Sequence, residues 1–236
     1  MVTRDSYWKM MKTGRFRAFR NLPVGWMLQI LHSTDRTERL VRIAMELLLT
    51  GCFWLLLRDI SALPNDIIRL LWAFIIIHTV SWFFLGNFWV YMLDSFHWVT
   101  NPGINEVLKY IYFVRRLLVK SGSCDAILVY GSMSRGAFHG RSDLDLRIIR
   151  KPGLLNGLTA IFVGFVVRVP AALQGNPVDL QVVDSLEFLD KQMRPDEHPI
   201  IVFLSPALVI KNPGPDFDQV LANPVQVLRD RPGQVS

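Results

Sequence analysis

The sequence predicts an α/β (α+β) fold, in which two transmembrane helices precede a small domain built on a sheet. Two long apolar stretches in the first hundred residues indicate the membrane helices. Short apolar runs bounded by glycine or aspartate indicate the strands of the sheet. The chain has 236 residues, of which 51% are hydrophobic, and this length suits one domain with a smaller additional unit.

The longest apolar stretch, residues 70–93, has no formally charged residue. A helix of about 20 apolar residues crosses the hydrocarbon core of a bilayer. The other interpretation, a buried core helix, requires a small domain to cover this whole stretch on every side. We therefore predict a transmembrane helix here.

A second, shorter apolar stretch covers residues 43–57 and contains Glu46. Arginines at both of its ends can extend their side chains to the two interfaces. The turn signal Pro64-Asn65 separates the two stretches. We predict that residues 41–94 form a transmembrane helical hairpin, and we leave open whether the shorter stretch crosses completely.

The distribution of positive charge gives the orientation of the hairpin. Residues 1–42 hold nine Lys and Arg against three Asp and Glu, whereas residues 58–69 hold two of each. Basic flanks of transmembrane helices remain in the cytoplasm. We predict a multi-pass protein of the cell (plasma or inner) membrane, with the N-terminus and everything after residue 93 in the cytoplasm.

The basic excess of the chain lies in its N-terminal segment. Nine basic minus three acidic residues over 1–42 gives +6, the net charge of the whole chain, and residues 101–236 hold 15 basic and 13 acidic residues. This pattern indicates membrane lipids rather than nucleic acid as a partner. Residues 1–40 are predicted to be a basic juxtamembrane segment on anionic lipid, with a disordered leader as the alternative.

After the hairpin, the turn Asn101-Pro102-Gly103 marks the start of a domain over residues 101–211. Apolar residues at helical spacing predict a helix over 105–120. The remaining predictions are a helix over 154–173 and strands over 126–130, 144–149, 178–183, 200–204 and 207–210. Residues 212–236, which are rich in proline and polar residues, are predicted to be a flexible tail.

Two aspartates one residue apart, Asp143 and Asp145, stand at the start of the second strand. Side chains at positions i and i+2 of a strand point to the same face. Two like charges this close raise each other's pKa, and a divalent cation offsets their repulsion. Mg²⁺ takes one or two carboxylates together with substrate phosphates, so the pair predicts a metal site that also receives a nucleotide.

The turn after the first strand supplies groups for phosphate. Gly131 allows the backbone to approach a ligand closely, and the exposed amides of the turn form an anion-binding concavity. Ser132 adds a hydroxyl donor, and Arg135 offers a bidentate contact to phosphate. Gly136 keeps the loop bendable. Ser142 has two interpretations, a nucleotide contact or a cap of the turn before the strand.

A third carboxylate is needed if two metal ions are to be held, and Asp179 in the third strand is the candidate. Two ions about 4 Å apart would stabilise the attacking and leaving oxygens of an in-line displacement. Asp179 also offers a carboxylate that can take the proton of an acceptor hydroxyl. A third membrane crossing at 154–173 would separate Asp179 from the other two aspartates. We therefore predict that this apolar helix packs on the sheet, and we leave open whether it also contacts the membrane.

The order Gly131-Ser132-x-x-Arg135-Gly136, then Ser142-Asp143-Leu144-Asp145, then Asp179 resembles the DNA polymerase β-like nucleotidyltransferase superfamily. The resemblance is closest to the minimal nucleotidyltransferase domains and extends over about residues 105–210. It implies a mixed sheet and a transfer of a nucleoside monophosphate from an NTP, with pyrophosphate leaving.

The same resemblance implies roles for individual residues. The triphosphate would contact Gly131 and Ser132, Asp143 and Asp145 would bind both Mg²⁺ ions, and Asp179 would complete the acceptor-side ion. Mn²⁺ is the alternative ion, and ATP is the expected nucleotide. The acceptor stays open among a lipid-linked sugar, a lipid and a protein. The alternative function is a non-catalytic module that senses nucleotide at the membrane.

Overall fold

The computed structural model describes residues 17–29, 35–58, 65–193 and 197–228. The first half of this part is helical, and strands begin only after residue 121. In chain order the elements are α1 (Arg17–Leu28), α2 (Arg36–Leu57), α3 (Asp66–Leu85), α4 (Phe88–Ser95), α5 (Ile104–Ser121), β1 (Cys124–Tyr130), α6 (Gly131–Ser134), β2 (Leu144–Arg150), α7 (Leu154–Leu173), β3 (Val178–Val183), α8 (Leu186–Gln192), β4 (Ile200–Leu204), α9 (Phe217–Ala222) and a 3₁₀ turn (Pro224–Val227).

The four strands form one mixed sheet in the order β3-β2-β1-β4. β1 runs antiparallel to β2 and to β4, whereas β2 and β3 are parallel. A parallel pair needs a crossover, and α7 supplies it. This architecture confirms the predicted α/β class with a mixed sheet.

The two faces of the sheet differ in what covers them. On the first face, apolar side chains of every strand pack with α5 and α7 into the main core, for example Ile127, Leu146 and Leu180. The second face carries a smaller apolar cluster that includes Tyr130 and Leu189 of α8. Alternation along the strands therefore separates a fully covered face from a partly covered one.

Three helices of the described residues, α2, α3 and α7, are long and apolar enough to cross a membrane by length and composition. The sequence predicted two. α7 differs from the other two in its burial, since 44% of its most apolar window is buried against 22% and 17% for α2 and α3. Its buried side includes Ala160 and Ile161, which lie in the main core beneath the sheet.

The hairpin of α2 and α3 is joined to the sheet at the edge strand β3. Asp35 caps α2 by accepting a hydrogen bond from the amide of Thr37 at 2.7 Å, and its second oxygen accepts one from the amide of Asp184 at 2.7 Å. Glu38 accepts a hydrogen bond from the amide of Val182 at 3.0 Å. The start of α2 therefore satisfies backbone donors that an uncovered edge strand would leave exposed.

The apolar stretch 70–93 was predicted to form one transmembrane helix, but in the structure it is divided between two helices. α3 ends at Leu85, and Asn87 separates it from α4. The side chain of Asn87 donates a hydrogen bond to Asp179, and α4 packs on α1 and β3 rather than continuing α3. Gly86 and Asn87 thus separate the two helices beside the sheet. The predicted turn residue Pro64 lies outside the described residues.

The C-terminal part also differs from the prediction. Residues 207–210 form a turn and an irregular segment after β4 rather than a strand. The segment predicted to be a flexible tail contains α9, and Phe217, Val220 and Val227 are buried in the main core. The spacing of these apolar residues gives α9 and the 3₁₀ turn a face to bury. Residues 229–236 of the predicted tail, and residues 1–16 of the predicted basic segment, lie outside the described part.

Candidate active site

Strand register brings two of the predicted acids together. Asp145 of β2 is directly opposite Asp179 of β3 and opposite Tyr130 of β1. The side chains of Asp145 and Asp179 project from the second face of the sheet, because Leu144 and Leu146 on one strand and Val178 and Leu180 on the other enter the main core. Asp143 lies in the loop immediately before β2.

A buried arginine that the sequence analysis did not select lies between these acids. One guanidinium nitrogen of Arg147 donates to Asp145 at 3.1 Å and to Asp179 at 2.7 Å. The other donates to the backbone carbonyls of Asp179 and Leu146 at 2.6 and 3.1 Å. Arg147 follows Asp145 by two positions, so alternation along β2 predicts the same face for both side chains.

Asp179 is held by three side chains. Besides Arg147, the amide of Asn87 donates to it at 2.7 Å, and the amide of Gln181 donates at 3.3 Å. Burial opposes ionisation, but the charge of Arg147 and these hydrogen bonds lower the pKa of Asp179. Asp179 is therefore an ionised carboxylate whose charge is already compensated by protein donors.

The other two acids are less well compensated. Burial, together with the charge of Asp143, raises the pKa of Asp145 to about 8. Burial, together with the charge of Asp179, raises the pKa of Asp143 to about 6. Burial is the larger cause of both shifts, and three carboxylates share one guanidinium, that of Arg147. A cation bound beside Asp143 and Asp145 would favour their ionised forms.

Gly131 is required at the end of β1. Its φ is +76°, and a Cβ at this position would lie 2.0 Å from the nearer carboxylate oxygen of Asp145. A side chain here would displace Asp145 as well as strain the backbone. Gly136, with φ +62°, closes the turn, and a Cβ there would approach the carbonyl of Gln226 to 3.0 Å.

The turn that was predicted to bind phosphate holds a carboxylate. One oxygen of Glu197 accepts hydrogen bonds from the amide of Gly131 at 2.6 Å and from the guanidinium of Arg135 at 2.7 Å. The hydroxyl of Ser134 is 3.4 Å from the same oxygen. Glu197 was not selected from the sequence, because it lies 66 residues after Gly131 and in no motif. Its contacts show that these donors converge on one anionic oxygen.

Ser132 and Ser142 have different surroundings. The hydroxyl oxygen of Ser132 is buried and has no hydrogen-bond partner among the described residues. The hydroxyl of Ser142 accepts a hydrogen bond from the amide of His139 at 3.1 Å, and the side chain of Asn101 donates to the carbonyl of Ser142 at 2.8 Å. Ser132 thus has an unused donor beside the turn, whereas Ser142 caps the turn before β2.

The fit of the site to metal is partial. Within residues 17–29, 35–58, 65–193 and 197–228, no group of three or more His, Cys, Asp and Glu side chains is arranged to hold an ion. Asp143 and Asp145 remain as a pair of oxygen donors with raised pKa values. A pair of carboxylates suits one Mg²⁺ that takes its other ligands from water and substrate phosphate.

Comparison with known proteins adds no relative. No family model matches this chain, and no curated protein and no solved structure matches it. The resemblance to nucleotidyltransferases therefore rests on the motif residues alone.

Proposed function

We propose that this protein is a membrane-anchored, Mg²⁺-dependent nucleotidyltransferase, which moves a nucleoside monophosphate from an NTP, with ATP as the first candidate, to an acceptor. The observation that carries the proposal is the anion-binding turn beside the acid pair. Donors from Gly131 and Arg135 converge on one oxygen, and Asp145 contacts the same turn across Gly131. A triphosphate in place of Glu197 would meet these donors.

Asp143 and Asp145 are the residues that would hold Mg²⁺. When bound there, Mg²⁺ would neutralise negative charge on the transferring phosphate and on the leaving pyrophosphate. The second ion that the resemblance implies needs Asp179, and this carboxylate is bonded to Arg147, Asn87 and Gln181. A second Mg²⁺ ion could therefore bind Asp179 only if Arg147 released this carboxylate.

The membrane location of the reaction is supported by the apolar helices. α2 and α3 carry exposed apolar side chains such as Leu47, Leu56 and Ile67, with 70%, 70% and 71% of their surface exposed. Both ends of this hairpin meet the sheet, because α2 begins at β3 and α3 is followed by Asn87 at Asp179. One side of the membrane therefore holds both ends and the sheet, and the positive charge of residues 1–42 favours the cytoplasm.

A second candidate function is a non-catalytic module that senses nucleotide at the membrane. Arg147 favours it, because a guanidinium already bridges Asp145 and Asp179 where catalysis by two ions needs metal. In this alternative the turn and the acid pair bind Mg²⁺ and NTP without turnover.

The test uses membranes that contain the full chain, Mg²⁺ and each NTP labelled at the α-phosphate. The variant Asp143→Asn with Asp145→Asn removes the charges but keeps the shape of the site. Asp218→Asn is the matched control, because Asp218 is exposed and pairs with Arg115 outside the site. We expect label in a lipid, glycan or protein fraction with the wild type and the control, and none with the double variant.

Other outcomes decide against catalysis. The wild type could bind NTP in the presence of Mg²⁺ and lose this binding in the double variant, yet transfer no label. This result would favour the non-catalytic sensing function over the nucleotidyltransferase. Absence of both transfer and binding would overturn both functions.

A further inference from the structure

One face of α7 is apolar and uncovered. Seven large apolar side chains repeat along it at helical spacing, with exposures of 37% to 79%: Leu154, Leu155, Leu158, Phe162, Val166, Val169 and Leu173. Arg168 is the one charged residue of this helix, and it is 4% exposed. The outward face therefore has no charge, although the described fold leaves it in contact with solvent.

The inward face shows why α7 does not leave the sheet. Gly157, Ala160, Ile161 and Phe165 are among its buried residues. Arg168 donates to the carboxylate of Glu38 at 2.9 Å and to the carbonyl of Leu180. A helix that crossed a bilayer alone would give up this core and this ion pair. The inward face of α7 is therefore apolar because it packs against the sheet, and this packing does not account for the apolar outward face.

α7 is in contact with both helices of the hairpin. The last turns of α3 and α7 are neighbours, since Phe83, Phe84, Ala171 and Ala172 line the same small cavity. α2 also packs on α7, where the guanidinium of Arg42 lies 5.9 Å from the ring of Phe165. The three apolar helices are thus neighbours in the fold. The acids of the candidate site project from the opposite face of the sheet.

We propose that the exposed face of α7 lies in the surface layer of the same lipid bilayer that the α2–α3 hairpin crosses. Helices with an uncharged apolar face bury it about 5–10 Å into the boundary between head groups and acyl chains. Seven apolar side chains beside two membrane-spanning helices match that environment. A second copy of the chain is the competing occupant, but it would have to cover α7 next to lipid-exposed α3. Contact of α7 with lipid turns the acid-bearing face of the sheet towards water, where NTP is found.

The test places an environment-sensitive fluorophore on single cysteines of the full chain in bilayers of phosphatidylcholine and phosphatidylglycerol. Phe162→Cys and Leu158→Cys, each in a Cys52→Ser background, report on α7. Cys124 does not interfere, because it is buried and burial raises the pKa of its thiol to about 11. All positions to be labelled are exposed, so the fold is kept.

Two control positions bracket the result. Native Cys52 is exposed on α2, and a label there is expected to report the lipid around the hairpin. Val209→Cys reports water, because Val209 is 81% exposed and lies beside Tyr130 and Leu186 at the second face of the sheet. We expect brominated lipid to quench the labels at 158 and 162 as it quenches Cys52, with blue-shifted emission, and to leave the label at 209 unchanged.

Two results would overturn the lipid contact. Labels at 158 and 162 that behave like the label at 209 would place this face in water. Labels that are shielded but not quenched, and that become exposed when each lipid nanodisc holds one copy, would show that a second copy covers α7. The lipid contact does not depend on nucleotidyl transfer, so failure of the labelled-NTP experiment leaves this result unaffected.

Discussion

At the scale of single residues, the side chain of Glu197 occupies the anion-binding turn of the candidate site. Its carboxylate is 5% exposed and takes the donors of Gly131 and Arg135, which the sequence assigned to phosphate. Hydrogen bonds to a charged group contribute about 1.5–3 kcal/mol each. A phosphate oxygen that enters the turn must therefore displace an anion that is already well bound.

From this competition we expect Glu197→Gln to tighten Mg²⁺–NTP binding by about tenfold, which corresponds to about 1.4 kcal/mol. The neutral amide holds Gly131 and Arg135 less strongly than the carboxylate does. Titration calorimetry on the full chain measures the change. Glu106→Gln is the matched control, because Glu106 is exposed and pairs only with Lys109 among the described contacts. Weaker or unchanged binding in Glu197→Gln would mean that Glu197 does not compete with phosphate.

At the scale of elements, the start of α2 connects the hairpin to the sheet through a buried charge cluster. Glu38 is completely buried, pairs with Arg42 at 2.7 Å and Arg168 at 2.9 Å, and also accepts the amide of Val182. One carboxylate therefore joins α2, α7 and β3. Removing one member of such a cluster leaves buried charges without a partner. The resulting loss of folding free energy is larger than the net stabilisation that the intact cluster provides.

We expect Glu38→Ala to lower the free energy of unfolding by about 3–5 kcal/mol, because the buried charges of Arg168 and Arg42 lose their carboxylate partner and the amide of Val182 loses its acceptor. Chemical denaturation of the full chain in detergent micelles, followed by the fluorescence of its tryptophans, gives this value. Glu106→Ala removes an exposed ion pair and should cost less than about 1 kcal/mol. Equal effects of the two substitutions would show that the cluster does not hold the hairpin to the sheet.

The stability of the whole molecule should depend on pH through the acid pair. The pKa values of Asp143 and Asp145 in the folded state are raised from 3.8 to about 6 and about 8. The unfolded chain releases these protons first, so their stabilising contribution is complete below about pH 4 and is lost as the pH rises to about 8. Asp179 has the opposite sign, but its lowered pKa confines its effect to lower pH.

We therefore expect the unfolding free energy to fall between pH 5 and pH 8, by up to about 1.4 kcal/mol per pH unit for each proton released. Asp143→Asn with Asp145→Asn should remove this slope, whereas Asp218→Asn should keep it. Mg²⁺ should flatten the slope of the wild type, because a cation stabilises the ionised pair. Denaturation midpoints measured across this range give the answer, and a slope that survives in the double variant would assign the pH dependence to other groups.

Local pattern in the sequence determined most of the elements. The mixed sheet was implied by the resemblance to nucleotidyltransferases. Period-2 and period-3.6 spacing predicted β3 and α7 with their observed bounds and α5 within a residue at each end. These features depend on neighbouring residues, so periodicity is enough to find them.

Only the tertiary structure decided which distant groups complete the site. Strand register placed Asp145 opposite Asp179, and the break at Asn87 divided an apolar stretch because its side chain bonds to Asp179. Glu197 reaches the turn across 66 residues of chain, and the apolar residues after Asn212 fold back into the core as α9. Such contacts have no fixed spacing along the chain. They arise because burial brings remote polar groups together, and each of these groups must then find a partner.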